Sequence, residues 1–313
     1  MPTGSPPGSR APTGVVFLDK ARGISSFAAL GAVKRAVGTK KVGHTGTLDP
    51  FATGLLVALV GRATRCARYF NGLSKEYVTV VRFGTETDSD DATGTVVRRG
   101  ELPREHLLAT AIEAFQGSIE QLPPAYSAVH VDGRRAHQIA RAGETPAVQP
   151  RTVRVDSLEV QDLVQSGGRV ESVSLAISCS AGTYIRSIAR DLGRRMGSAA
   201  HAESLRRTAI GPFPVDLAVS GATIDPSQDL RGLAPVLGRL PGFAVARVSA
   251  ARARDVTHGR PISADDLGFD GDHDREAPHR VALVRDEEIL AVARIVEARV
   301  RYEAVLVAGD AHG

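Results

Sequence analysis

The segment KEYVTVVRF at residues 75–83 alternates along its whole length, with Tyr77, Thr79, Val81 and Phe83 on one face and Glu76, Val78, Val80 and Arg82 on the other. Successive side chains take opposite faces only on a pleated strand, so the segment is a strand with at least one buried face. VVFLD (15–19), LLVALVG (55–61) and TVVRR (95–99) read as further strands, and two longer ones, near 151–160 and 170–179, flank the hairpin residues QSGGR. Helical spacing lies between them. Phe27, Leu30, Val33 and Val37 predict a helix over 26–37 with those four residues inward, opened by the Ser25–Ser26 pair and stopped by Gly38. ATRCARYFN reads as a short helix. A second longer helix opens near Pro103 and closes at Gly117 with Leu107, Leu108, Ile112 and Phe115 inward, and TYIRSIARDLGRRMG buries Ile185, Ile188, Ala189 and Leu192. Hairpin signals mixed with helices favour an α+β fold with a mixed sheet over a doubly wound parallel one.

The chain of 313 residues has room for one large domain and a small second one. Its opening, MPTGSPPGSRAP, is rich in Pro, Gly and Ser without an apolar core, so residues 1–12 are expected to form a flexible tail and not a signal peptide. DPSQDLRGLAPVLGRLPG (225–242) reads as a linker ahead of strand-like runs RVALVR, ILAVARIV and YEAVLVAG, giving expected domains at 13–240 and 241–313, the second small and β-rich. No window approaches the roughly 18 to 20 apolar residues of a membrane span. Cys66 and Cys179 stand far apart with no CxxC pattern, which argues against a disulfide framework or a cysteine zinc site and fits a reducing cytoplasm.

The net charge is +4, but residues 1–240 hold 29 Lys+Arg against 22 Asp+Glu, and residues 241–313 hold 10 against 13. The basic excess belongs to the larger part. All five lysines precede residue 80, so most positive charge is arginine, the better fork for phosphate, although GC-rich coding would produce the same bias. Residues 186–207 carry six arginines against two acids, and phosphate contact is their expected use.

The loop GHTGTLDPFATGLL (43–56) sets Asp49 before Pro50 among Gly43, Gly46 and Gly54, so a carboxylate can be presented where the backbone approaches a ligand. A lone Asp-Pro is ordinarily a turn initiator. This loop, however, resembles the signature of the TruB-type tRNA pseudouridine synthases. LDKARGISS, SKEYVTVVRFGTETDSDDATG, LPPAYSAVHVDGRRAHQIARAGE, CSAGTYIRSIARDLG and ESLRRTAIGPF continue the resemblance in that family's order, from about residue 14 to residue 215. It implies a pseudouridine synthase fold whose mixed central sheet is largely antiparallel and flanked by helices, with a thumb-like RNA-clamping insertion at about 124–152. Around HGRPI the C-terminal part resembles a PUA-type RNA-binding domain loosely, and its acidity departs from that role.

The implied activity is conversion of uridine 55 in the tRNA T loop to pseudouridine, by a stand-alone monomer without guide RNA, cofactor, metal or membrane. By resemblance, Asp49 is the catalytic carboxylate, Arg186 its cationic partner, and Tyr77 the residue that stacks on the target base and handles the proton leaving carbon. His44 inserts into the T loop, Lys20 supports the loop near the active site, Tyr184 packs in the pocket floor, and Leu205 belongs to the same set. Arg134, Arg135, Arg141, Arg190, Arg206 and Arg207 are the expected backbone contacts. The family's usual Lys at His130, aromatic at His137 and Lys at Ala181 are missing, which alters the local RNA contacts expected. The chemistry needs these groups: uracil must be detached and reattached through carbon, so the base must be flipped out. An ionised aspartate can add to base or sugar, or assist uracil's departure, and a neighbouring Arg typically lowers its pKa by about 1 to 3 units.

Other readings find less support. Asp88, Asp90 and Asp91 suggest calcium, but Arg99 stands where an EF-hand loop begun at Asp88 needs Glu. There is no GxxxxGK[ST], the nine histidines lack metal-ligand spacing, and no acid partner for Asp49 is supplied as a glycosidase requires. A non-catalytic tRNA-binding or RNA-folding protein is the alternative of a different class, distinguished by whether Asp49→Asn changes product yield.

Overall fold

The structure, a computed structural model, describes residues 11–131, 133–269 and 280–307, so the expected tail at 1–12 falls almost wholly outside the described residues. A ten-stranded sheet runs in the order Val219–Ser220, Gly14–Lys20, Thr53–Val60, Ala200–Ile210, Lys75–Phe83, Arg169–Cys179, Arg151–Ser166, Gly117–Gln121, with Val42–His44 and Phe213–Pro214 paired at its margin. Seven of its nine pairings are antiparallel. The fold is α+β, as the hairpin signals indicated. Strand Lys75–Phe83 buries Tyr77, Thr79, Val81 and Phe83 as its alternation requires, and the QSGGR hairpin joins strands Arg151–Ser166 and Arg169–Cys179, longer than the sequence suggested.

One of the two parallel pairings positions the site. Arg206 pairs with Thr53 and Arg207 with Gly54, at the point where the 43–56 loop enters its strand. Gly54 has φ +105°, and a Cβ there would lie 2.2 Å from the Arg207 carbonyl oxygen. Only glycine fits a left-handed backbone pressed this close to a neighbouring strand.

Helix Ser26–Val37 is capped by Ser25, whose hydroxyl accepts from Ala28 N, and it ends on left-handed Gly38. Its buried face holds Leu30, Val33 and Val37 as expected but not Phe27. Ser26, Ala29, Leu30, Val33 and Val37 face inward, whereas Phe27 is 71% exposed, with Lys34 Nζ 4.7 Å from its ring centre. The cause is Ser26, whose hydroxyl donates to Leu48 O (2.9 Å) and accepts from Leu48 N (2.8 Å). That contact turns the next residue, about 100° around the helix, to solvent. Leu107, also expected inward, is exposed because it lies in the 3-10 turn Glu105–Leu107, whose tighter winding shifts the phase ahead of Leu108–Glu113. Helix Ile185–Arg195 buries Ile185, Ile188, Ala189 and Leu192 as the spacing indicated.

A C-terminal β domain holds a five-stranded sheet in the order Leu267–Phe269, Phe243–Val248, Arg280–Arg285, Glu288–Val296, Arg299–Val305. The stretch expected as a linker is packed. Short helices Pro226–Asp229 and Leu233–Leu237 occupy it. Leu233, Val236, Leu237 and Leu240 join one apolar cluster that takes Val15, Phe17 and Phe213 from one side and Phe243, Val284, Ile289, Val292 and Leu306 from the other. Arg62 and Arg65 add hydrogen bonds to Leu306 O (2.9 Å) and Val305 O (2.7 Å). The Pro and Gly of this stretch shape short helices, and these apolar side chains then have a core to enter.

Candidate active site

The loop before strand Thr53–Val60 is fixed from three sides. From the helix, Ser26 holds Leu48. From strand Gly14–Lys20, the buried Lys20 ammonium donates to Ala21 O (2.9 Å), Ile24 O (2.9 Å) and Pro50 O (3.4 Å). From strand Ala200–Ile210, the Arg207 guanidinium donates to Leu55 O (2.7 Å), Thr47 O (3.4 Å) and Gly46 O (3.3 Å). Between these anchors Asp49 keeps its side chain 32% exposed, a carboxylate on a rigid support.

Arg186 meets it. From the first turn of helix Ile185–Arg195 its Nε lies 2.8 Å from Asp49 Oδ2, and the arginine side chain is only 3% exposed. The N–H is not aligned with that oxygen, so the contact is an ion pair before it is a hydrogen bond. The remaining nitrogens donate to Ser89 O (2.7 Å) and Tyr126 O (2.9 Å), and Asp91 Oδ2 lies 3.5 Å from Nη1. Asp91 is itself held by Ser89, Thr93 N and the Thr93 hydroxyl. The acidic loop that suggested calcium thus spends two carboxylates on arginines, Asp91 on Arg186 and Asp90 on Arg190. Sequence reasoning missed these partners; the one available signal was the DSDD run itself.

Tyr77 packs with Leu48, Phe51 and Leu205 in the apolar cluster beneath the loop. Burial pushes its phenol up, against the opposing pull of Arg207. Tyr184 is fixed at its backbone by Gln121, which accepts from Tyr184 N (2.8 Å) and donates to Tyr184 O (3.0 Å), and burial raises its hydroxyl as well. Lys20 is pushed down to about 8 by burial, with Asp49 pulling the other way and Arg207 reinforcing the fall. The Asp49 charge is felt at Lys20, Tyr77 and Tyr184 alike. His44 sits at the loop's entrance, its basicity lowered by burial and by Arg207. Its Nδ1 and the neighbouring Thr45 Oγ1 are buried without a hydrogen-bond partner among the described residues.

The arginines expected on phosphate divide into two kinds. Arg134, Arg135 and Arg141 are exposed, Arg134 in a surface pair with Glu144 at 3.2 Å. They lie in an excursion between strands Gly117–Gln121 and Arg151–Ser166 that holds the hairpin His130–Val131 and Arg134–Arg135 and the helix Ala136–Arg141. Arg206 forks onto Asp19 (2.7 and 3.1 Å) and stays partly exposed. Arg190 and Arg207 do not fit the expectation: they are 5% and 1% exposed, and their guanidinium groups are occupied by protein oxygens. Of the positions that depart from the family, His130 is exposed and His137 Nδ1 lies 3.0 Å from Ser127 O.

Comparison with known proteins identifies the family. The family model described as TruB family pseudouridylate synthase (N terminal domain) matches residues 34–185. A Thermobifida fusca protein named tRNA pseudouridine synthase B is 42% identical over 258 residues, 80% of this chain and 86% of its own length. A Bordetella avium protein of the same name is 43% identical over 232 residues, 73% and 93% of the two chains. Among solved structures, one titled as an H/ACA RNP bound to a substrate RNA containing 2'-deoxyuridine superposes with TM-score 0.67 at 21% identity, covering 95% of this chain and 86% of that one. The fold is therefore shared with that structure. With an Asp49 loop held between strand and helix, and relatives above 40% identity over most of its length, the chain belongs to the TruB family of pseudouridylate synthases.

Proposed function

We propose that this protein isomerises uridine 55 in the T loop of tRNA to pseudouridine, with Asp49 as the catalytic carboxylate. The observation that carries the reading is the Asp49–Arg186 pair. A buried guanidinium 2.8 Å away pairs with the carboxylate and fixes its position beside the space a flipped base would enter. Whether the carboxylate adds to base or sugar or assists departure of uracil, each route uses that oriented group. Tyr77 is proposed as the ring on which the extruded pyrimidine stacks and as the hydroxyl that handles the proton leaving carbon. His44, half-buried at the entrance of the loop, is the residue proposed to enter the T loop. Leu205 and Tyr184 complete the walls, and Lys20 holds the loop.

The exposed arginines of the 122–150 excursion are the proposed contacts of an RNA-clamping thumb, and the C-terminal domain is proposed to be PUA-like. Arg206, already paired with Asp19, contributes as a partly exposed cation at the rim. The protein acts as a monomer on the T stem-loop alone, needing no guide RNA and no cofactor. The test is to incubate a T-arm hairpin with the pure protein and map pseudouridine. Product at the position of uridine 55 is expected, and Asp49→Asn should retain binding while abolishing it. Product that appears only with added guide RNA, or undiminished product from Asp49→Asn, would overturn the reading.

A further inference from the structure

One turn beyond Arg186, on the same face of helix Ile185–Arg195, lies a second buried arginine that the proposed chemistry does not use. Arg190 donates from Nη1 to Asp90 Oδ2 (2.9 Å), from Nε to Asp191 Oδ1 (2.8 Å), and from Nη2 to Leu122 O (2.9 Å) and Asp191 Oδ2 (3.1 Å). Arg186 reaches Ser89 O and Tyr126 O. The two arginines, at positions i and i+4, therefore grip the same two segments, residues 89–90 and residues 122–126.

The orientation of Arg186 depends on that shared grip. Its two firm acceptors are main-chain carbonyls on loops, and a loop carbonyl is placed only as well as its loop. Ser89 adjoins Asp90, whose φ of +60° is left-handed, a conformation that Asp and Asn adopt more readily than other residues with a Cβ. Three contacts hold that conformation: Arg190 on the Asp90 carboxylate, Ala202 N on the Asp90 carbonyl (3.0 Å), and the Asp90 N–H on Thr87 O (3.1 Å), and of these only the first joins the loop to helix Ile185–Arg195. On the other side, Leu122 O accepts from both Arg190 and the Ser187 hydroxyl (2.9 Å), fixing the root of the excursion that carries Tyr126.

We infer that Asp90 and Arg190 are positioning residues for the reaction: their buried bridge fixes the two loop carbonyls that aim the Arg186 guanidinium at Asp49. The inference rests on Asp49 being the catalytic carboxylate. Bridges of this kind supply geometry better than stability. Burial pushes the Asp90 carboxyl up to about 6 in spite of Arg190 and Arg186, with Glu86 and Asp191 adding to the rise. Desolvation therefore outweighs attraction, and a buried pair in that condition contributes little to holding a fold together.

Two variants separate positioning from folding. Asp90→Asn keeps the size and the tolerance of left-handed backbone while removing the charge, and Arg190→Lys keeps the charge while losing the fork. Each is assayed with a T-arm hairpin for single-turnover rate and for Kd. Exchange of the Arg186 Nε–H is followed by 15N NMR, with the resonance assigned by its loss in Arg186→Lys. The expected result is a rate lower by about 10- to 100-fold, Kd within about 2-fold, and faster Nε–H exchange in both variants. Below about pH 6 the wild-type rate should fall more steeply than that of Asp90→Asn, because only the wild type has the Asp90 proton to gain. Folded variants with wild-type rate and wild-type exchange would overturn the inference, as would a rate loss matched by an equal loss of binding. If the wild type itself makes no pseudouridine, the functional reading fails separately, and the exchange measurement still decides whether the bridge aims Arg186.

Discussion

Gly54 and Arg207 face each other across a parallel seam so tightly that a methyl group on Gly54 would lie 2.2 Å from the Arg207 carbonyl oxygen. Gly23 offers a control, because its φ of +87° is also left-handed but nothing lies within 4 Å of its missing Cβ. Gly23→Ala should cost about 1 to 2 kcal/mol of backbone strain. Gly54→Ala should cost more, on the order of 3 kcal/mol or above, since one of the two strands must also move. Urea unfolding of both variants checks the difference, and equal losses would mean that the seam can open.

Arg207 separates two uses of arginine. Its buried guanidinium supports the backbone on both sides of Asp49, so Arg207→Lys should lower stability by about 2 to 4 kcal/mol, because carbonyls lose their donors. The salt dependence of RNA binding should stay as in the wild type. Arg135→Ala at the exposed excursion should do the reverse, leaving stability unchanged and reducing the slope of log K against log salt by about 1. Binding titrations across a salt series distinguish them.

On helix Ser26–Val37, Leu30→Ala should cost about 2 to 5 kcal/mol and Phe27→Ser less than about 0.5 kcal/mol, since only Leu30 is enclosed. Chemical denaturation of the two variants side by side tests the register found here.

Asp90 gives a pH signature. Its carboxyl is pushed up to about 6 from an ordinary 3.8, so the folded state keeps this proton to a higher pH than the unfolded chain does. The stabilising effect of that proton is complete below about pH 4 and lost as pH rises through about 6. Relative to Asp90→Asn, the wild type should therefore lose ground over that interval, by an amount on the order of 2 to 3 kcal/mol. Melting curves at half-unit pH steps would show a parallel pair of profiles if Asp90 titrates normally.

How much could be seen in advance varied with the physical signal. The 43–56 loop carries its meaning in adjacent residues, so Asp49, His44 and the glycines were legible from the sequence, and strict alternation exposed the strand of Tyr77. Helix Ser26–Val37 misled because its buried face is carried partly by Ser26 and Ala29, which register weakly as apolar, while Phe27 fits an i, i+3 spacing with Leu30. Arg190 and Arg207 were counted as surface charge, because composition says nothing about direction. Periodicity held the missing information: Arg207 follows Leu205 by two along a strand, and Arg190 follows Arg186 by four along a helix. The bracing of Arg186 by Ser89 O and Tyr126 O was invisible, since any residue supplies a carbonyl and only the folded chain decides which ones converge.

The packing of residues 225–242 has a bearing on substrate accommodation. Leu233, Val236, Leu237 and Leu240 wedge between the two sheets, and separating those sheets would put a shared apolar core into water. An RNA arm touching both would meet a bite of constant width. The excursion proposed as a thumb lies apart from this core: it is rooted at Gln121 and leaves the great sheet from an edge strand paired on one side alone.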